Sequence, residues 1–258
     1  MSINAKLITA AILFSMLLTR TTGDTAAAAN TESVPTEQQC VSTPEDEQSV
    51  SILMYHSISS TPVGIPEFSV KTESFEEQMH YLISNGYTPI HLNELDNLQN
   101  YKKPIIITFD DGYVDNYTYA YPILKNYNIK ATVFMVSGFV GSGGYLTKEQ
   151  IAEMSDLVSF QSHTIDHCKL SELQPAQIDE QCRQSKTVLE SITKKPVYAI
   201  SYPFGLYNSE VYKIAADYYS CAVTTDVGSN TAESDRHLLK RVSVAREDSL
   251  SDFIAKLS

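Results

Sequence analysis

Ile105-Ile106-Ile107-Thr108-Phe109-Asp110-Asp111-Gly112 is the stretch on which the reading of the chain turns. A β-branched apolar run stops abruptly at two adjacent carboxylates and a glycine. A run of this length reads as a buried strand, with the carboxylates just past its C-terminal end. Neighbouring ionised carboxylates repel, and burying either one unpaired costs roughly several kcal/mol. Such a pair needs a cation, a shared proton or open solvent. A solvated Asp-Gly turn is the plain alternative, and the rest of the chain decides between the two.

Outward from that stretch, strand and helix signals alternate. Val50 to His56 reads as a first strand with a histidine at its end, and Phe75, Met79, Leu82 and Ile83 mark a helix. Asn93 to Leu98 is a short helix. Beyond Gly112 come a helix from Asp115 to Asn126, a strand from Lys130 to Val136 and a Thr147-capped helix to Ser155. A strand from Leu157 to Gln161 runs into His163, and Gln174 to Lys194 is a long amphipathic helix. Val197 to Ser201 is a strand leading into Tyr202-Pro203-Phe204-Gly205. A helix from Ser209 to Tyr218, strands at Ser220 to Thr224 and Leu238 to Val244, and a helix from Ser249 to Leu257 close the chain. About seven strands alternating with helices predict a distorted, incomplete (β/α)7 barrel, with a doubly wound open sheet as the alternative. His56, Asp110, Asp111, His163 and the Tyr202 to Gly205 loop all fall at strand C-termini, where such barrels gather their chemistry.

Composition narrows the function. The chain has 258 residues, a formal charge of -12 and a pI near 4.9, with no Lys/Arg cluster, which argues against nucleic acid as a partner. Lys6 followed by the apolar Leu7 to Leu18 and the small Ala26-Ala27-Ala28 predicts an export signal over residues 1–28. The apolar stretch is short for a membrane span. After cleavage no stable span is expected, with a retained anchor as the alternative, and the mature protein would be secreted, periplasmic or on the cell surface. Residues 29–49 are polar and acidic and read as a linker. Residues 50–258 form the globular domain. Cys40, Cys168, Cys182 and Cys221 lack metal-binding spacing; a Cys182–Cys221 bridge and buried free thiols are both open.

His163 and His167 stand four residues apart, which puts two imidazoles on one side of a turn. Two histidines and one aspartate give a divalent metal three protein ligands and leave positions for water and substrate. A second carboxylate at the same strand end then supplies what hydrolysis requires, a base that is not itself a ligand.

Thr108-Phe109-Asp110-Asp111-Gly112, His163-Thr164-Ile165-Asp166-His167 and Tyr202-Pro203-Phe204-Gly205, in this order and separation, resemble the polysaccharide deacetylases (the NodB-homology domain, fourth carbohydrate esterase family) from about Val50 to Val244. The resemblance implies that Asp111, His163 and His167 hold one divalent metal ion. Zn²⁺ is the first expectation, and Co²⁺, Ni²⁺ or Fe²⁺ suit the same ligands. It implies Asp110 as general base, and a backbone N–H of Tyr202 or a neighbour in the loop as oxyanion donor.

Two departures stand out. Many family members begin the third motif with an arginine that pairs with the base, where this chain has Ser201-Tyr202. They also carry a late Leu-x-His motif that this chain lacks. The start Met54-Tyr55-His56 is similar to a branch acting on poly-β-1,6-N-acetylglucosamine, in which the histidine after the first strand is the acid. His56 is therefore the expected acid, with a structural strand-end histidine as the alternative. Arg241 is the expected substitute for the missing arginine, with a surface strand arginine as the alternative. Tyr202 and Phe204 either stack on sugar or pack the loop. The implied substrate is an N-acetylglucosamine polysaccharide; peptidoglycan, chitin oligomers or O-acetylated xylan are rivals, as is a catalytically silent carbohydrate-binding protein on the same fold.

Overall fold

A computed structural model describes residues 48–257, within the compact unit Pro44–Ser258. The export signal expected over residues 1–28, nearly all of the linker and Cys40 lie outside the described residues. Gln48, at the end of that linker, already donates to the Tyr101 carbonyl at 2.6 Å. Among the described residues no helix is long and apolar enough to cross a membrane.

The principal strands are β1 (Ser51–Tyr55), β5 (Pro104–Phe109), β6 (Ala131–Met135), β7 (Val158–Ser162), β8 (Ala199–Ser201), β9 (Cys221–Val223) and β10 (Val242–Ser243). All are parallel, in the order β10-β1-β5-β6-β7-β8-β9. The short β4 (Thr88–Pro89) flanks the start of β5, and β2 (Ser57–Ile58) pairs with β3 (Ser69–Val70) outside the main sheet. The expected final strand is shorter than Leu238 to Val244. Its first half makes only an isolated bridge, Leu239 to Val223 of β9, while Val242 pairs with Leu53 of β1. One segment therefore touches both edges of the sheet, and the architecture is the incomplete (β/α) barrel.

Alternation along β5 divides the core into two layers. Ile105, Ile107 and Phe109 face the helices, together with Leu53, Tyr55, Val133 and Met135. Ile106 faces inward with Ile52, Phe134, Ala199 and Val223. The 3-10 segment Leu92–Asn100 closes that inner layer at the strands' N-terminal ends with Leu92, Leu95 and Leu98. The helices are α1 (Thr72–Ser84), α2 (Tyr121–Tyr127), α3 (Lys148–Met154), α4 (Pro175–Thr193), α5 (Ser209–Tyr218) and α6 (Leu250–Ala255). Each buries one stripe; in α4 it is Ile178, Cys182, Ser185 and Leu189, at helical spacing. Thr147 caps α3 through a reciprocal bond with Gln150.

The helix expected from Asp115 begins differently. Asn116–Ala120 is a π-helical turn, and only Tyr121–Tyr127 is α-helical. Cys168, Cys182 and Cys221 are free; Cys182 and Cys221 are buried thiols, so the bridge between them is not made.

Candidate active site

Asp110 continues the inward row of β5 after Ile106 and Thr108. In an extended chain the next side chain would point the other way. Asp111 instead takes a left-handed φ of 72°, and Gly112 follows at 80°, which breaks the alternation and keeps both carboxylates on the rim. A Cβ at Gly112 would lie 2.2 Å from Met135 Sδ, so that buried side chain would have to move. Thr164, His167 and Phe204 also have φ between 60° and 68°, a conformation L-residues seldom adopt. Such outliers need the surrounding structure to over-determine them.

The turn carrying the histidines shows how that is done. The Gln181 side chain of α4 accepts from the Ile165 N–H at 2.9 Å, and the Ser185 hydroxyl donates to the Thr164 carbonyl at 3.1 Å. The His167 N–H donates to Thr164 Oγ1 at 3.0 Å. His163 lies at the end of β7 with its Nδ1 2.8 Å from the Ser201 carbonyl, so Nδ1 carries the proton and Nε2 keeps its lone pair.

That lone pair points into a three-residue cluster. His163 Nε2 is 3.6 Å and His167 Nε2 3.4 Å from Asp111 Oδ1, and the donor atoms of all three lie within 4.8 Å of one another. Ligands about 2.1 Å from a tetrahedral ion stand about 3.4 Å apart. The donor set and its spacing thus fit a divalent ion. Burial, followed for His167 by the charge of His163, lowers both histidines' pKa and so favours the neutral form that a metal requires. Burial raises the Asp111 carboxyl, His56 opposes this and Asp110 reinforces it.

Asp110 sits in the opposite environment. Arg241, 1% exposed, donates from Nη1 to Asp110 Oδ1 at 2.8 Å and from Nη2 to Oδ2 at 2.7 Å. Its remaining N–H groups reach Thr108 Oγ1 at 3.2 Å, Ser201 Oγ at 3.0 Å and, from Nε, the Thr224 carbonyl at 2.8 Å. All five guanidinium donors are used. Burial alone would raise the Asp110 pKa, but the Arg241 guanidinium and then His163 hold it well below the usual carboxylate range. Arg241 is therefore no surface strand residue.

His56 follows β1, partly buried, its ring stacked on Phe68 at 4.9 Å and 14°. Burial lowers its pKa, while Asp110 and Asp111 pull the other way. The loop after β8 divides its residues. Tyr202 is fully buried and stacks on Tyr207 at 5.6 Å. Its N–H donates to the Val223 carbonyl at 3.2 Å, so it is not free to serve as the expected oxyanion donor. Pro203 has no N–H, and the Gly205 N–H donates to the Tyr202 carbonyl at 2.9 Å. Phe204 is 54% exposed, with its ring 4.6 Å from that of His167. Among the described residues the Phe204 N–H has no protein acceptor.

His56, Asp110, Asp111, His163, His167, Tyr202 and Phe204 all line one cavity of about 750 Å³. Residues not singled out in the sequence complete it: Ile65 and Phe68 on one side, Tyr113, Phe139 and Tyr145 on another. Tyr113 and Tyr145 stack at 5.4 Å and share an isolated bridge. Only Tyr113 carried a signal, its place directly after Gly112. His91 and His237 lie elsewhere. His91 caps the 3-10 segment, and burial takes its pKa down to about 4; His237 Nε2 is 2.9 Å from the Tyr219 carbonyl.

Comparison with known proteins agrees with this geometry. Residues 97–220 match the family model described as polysaccharide deacetylase. The chain is 41% identical over 202 residues to YxkH, a candidate polysaccharide deacetylase of Bacillus subtilis, covering 75% of this chain and 71% of that one. It is 31% identical over 170 residues to the poly-beta-1,6-N-acetyl-D-glucosamine N-deacetylase of Staphylococcus aureus, covering 58% of this chain and 59% of that enzyme. A crystal structure of a polysaccharide deacetylase from Bacillus cereus superposes with a TM-score of 0.78 at 34% identity, over 82% of this chain and 70% of the other. The strand-end carboxylate pair, the facing histidines and these likenesses converge: the chain belongs to the polysaccharide deacetylase family.

Proposed function

We propose that the protein hydrolyses N-acetyl groups of a β-linked N-acetylglucosamine polysaccharide of the poly-N-acetylglucosamine type. Amide and water give acetate and a free amine on the sugar. The observation that carries the reading is the unequal treatment of two adjacent carboxylates. Asp110 is neutralised by Arg241 at 2.7–2.8 Å, and Asp111 is grouped with His163 and His167. Family membership supports the reaction class, and likeness to the staphylococcal enzyme supports the polymer.

Asp111, His163 and His167 would hold one divalent ion, Zn²⁺ before Co²⁺, Ni²⁺ or Fe²⁺. When bound it supplies Lewis-acid polarisation of the acetyl carbonyl and acidification of water. Asp110 accepts the proton of the attacking water. Its two bonds from Arg241 keep it ionised and hold it in place to take that proton. The Phe204 N–H stabilises the developing oxyanion. His56 gives a proton to the leaving nitrogen; burial weakens its hold on that proton. The exposed Phe204 ring forms an apolar wall for a sugar face. The Lys6 to Ala28 signal pattern supports work outside the cytoplasm.

Acetate release from poly-N-acetylglucosamine, chitin oligomers, peptidoglycan and acetylated xylan, with and without added Zn²⁺, tests the reading. The expected result is release from poly-N-acetylglucosamine that stops on chelation. Faster release from another polymer would reassign the substrate. Glycan binding without release from any polymer would make the protein a silent binder.

A further inference from the structure

His56 occupies a joint between β1 and β2, and buried side chains from far along the chain hold that joint. Asp115 Oδ2 accepts from the Ser57 hydroxyl at 2.5 Å, and Asp115 Oδ1 accepts from the Ile58 N–H at 3.2 Å. The Asn116 amide nitrogen donates to the His56 carbonyl at 2.8 Å and to Asp115 Oδ1 at 3.1 Å. Both residues are at least 96% buried. Two acceptors converge on that nitrogen, which fixes which way the amide faces. Its own Oδ1 is left buried without a partner among the described residues. The fold bears that cost to keep the nitrogen where it is.

The backbone is shaped for the same end. Asn116 opens the π-helical turn Asn116–Ala120, which precedes α2. A π turn adds a residue to the helical circuit, and such turns are rare and recur at functional sites. Here it lets Asp115 and Asn116 face β2 while Tyr121, Ile123 and Leu124 keep the buried face of α2.

We propose that Asp115 and Asn116 are positioning residues for the deacetylation step: they clamp the backbone at His56, Ser57 and Ile58 and so set where the imidazole sits in the cleft. This inference rests on the reading of His56 as the acid. Neither residue lines the cavity, so any effect on the reaction must pass through the strand they hold.

A double-mutant cycle on the full chain, loaded with Zn²⁺, tests it, with kcat and KM read from acetate release, alongside metal content and melting temperature. His56→Ala should lower kcat about 10²-fold or more. Asn116→Ala should lower kcat about 10–100-fold, since small displacements of a reacting group cost that much. KM and metal content should stay within about twofold, as the clamp touches neither substrate nor ligands. In the His56→Ala background, Asn116→Ala should cost nothing further in kcat. Should Asn116→Ala fail to fold, the near-isosteric Asp115→Asn carries the same cycle. An unchanged kcat in a folded Asn116→Ala protein, or an equal loss with and without His56, would overturn the clamp and leave the acid assignment standing. Parental kcat in His56→Ala alone would overturn the acid assignment and the clamp with it.

Discussion

Asp110 receives two guanidinium bonds and is only 3% exposed, whereas Asp111, the next residue, has only two imidazoles within ion-pair distance among the described residues. The difference shows how one strand end yields two kinds of carboxylate. The Arg241 side is already balanced by the protein and needs nothing more. The histidine side gathers one carboxylate and two imidazoles around a point whose spacing suits a divalent cation. Environments that push adjacent acids apart in pKa separate a proton acceptor from a ligand.

Breaking the comparison at the unbalanced side should have the largest effect. Asp111→Ala or His163→Ala should lose the metal and bring acetate release to background, with metal content by elemental analysis as the check. On the balanced side, Asp110→Asn should keep the metal and lower kcat about 10²–10⁴-fold. If Asp110→Asn lost the metal and Asp111→Asn kept it, the two roles would have to be exchanged.

Arg241→Ala leaves a buried carboxylate unpaired and should cost about 3–5 kcal/mol in denaturant unfolding. Arg241→Met should cost less at low pH, where Asp110 can take a proton. The sign follows from linkage. The folded pKa of Asp110 is depressed, so its stabilising contribution is full above the ordinary carboxylate pKa of about 4 and fades as pH falls through the folded value. Without Arg241 the pKa rises, and the acidic limb of the kcat/KM profile should move to higher pH. Because burial lowers the pKa of His163 and His167, the metal should stay bound to a pH below the ordinary histidine value of about 6.5. Metal occupancy against pH measures this directly. The smallest effect belongs to Phe204→Ala, expected to raise KM about 2–10-fold by loss of an aromatic contact, with the melting temperature unchanged at so exposed a site.

Much of this contrast is legible in the sequence, because both sides use local signals. The apolar run before Asp110 dictates a strand, and its end dictates a rim position. The spacing of His163 and His167 survives in the structure as a pinned turn rather than a helix. Arg241 could be named only against a pattern, because nothing near Leu239-Lys240-Arg241 says that the side chain turns inward. Asp115 and Asn116 looked like the polar start of an ordinary helix; their partners lie 57 to 60 residues earlier, and no periodicity encodes that. The Tyr202 N–H was equally hidden, since its bond to Val223 depends on how β8 and β9 align.

Arg241 meets Asp110 across 131 residues of chain, on the segment that touches both edges of the sheet. A chain that forms β5 early does so before the segment carrying this counter-ion has docked. Through that interval β5 cannot be sealed around an ionised carboxylate. The nascent barrel must stay open there or hold the acid protonated. The segment that joins the two edges of the sheet thus doubles as a lock: the charge on Asp110 is matched only once Arg241 has docked.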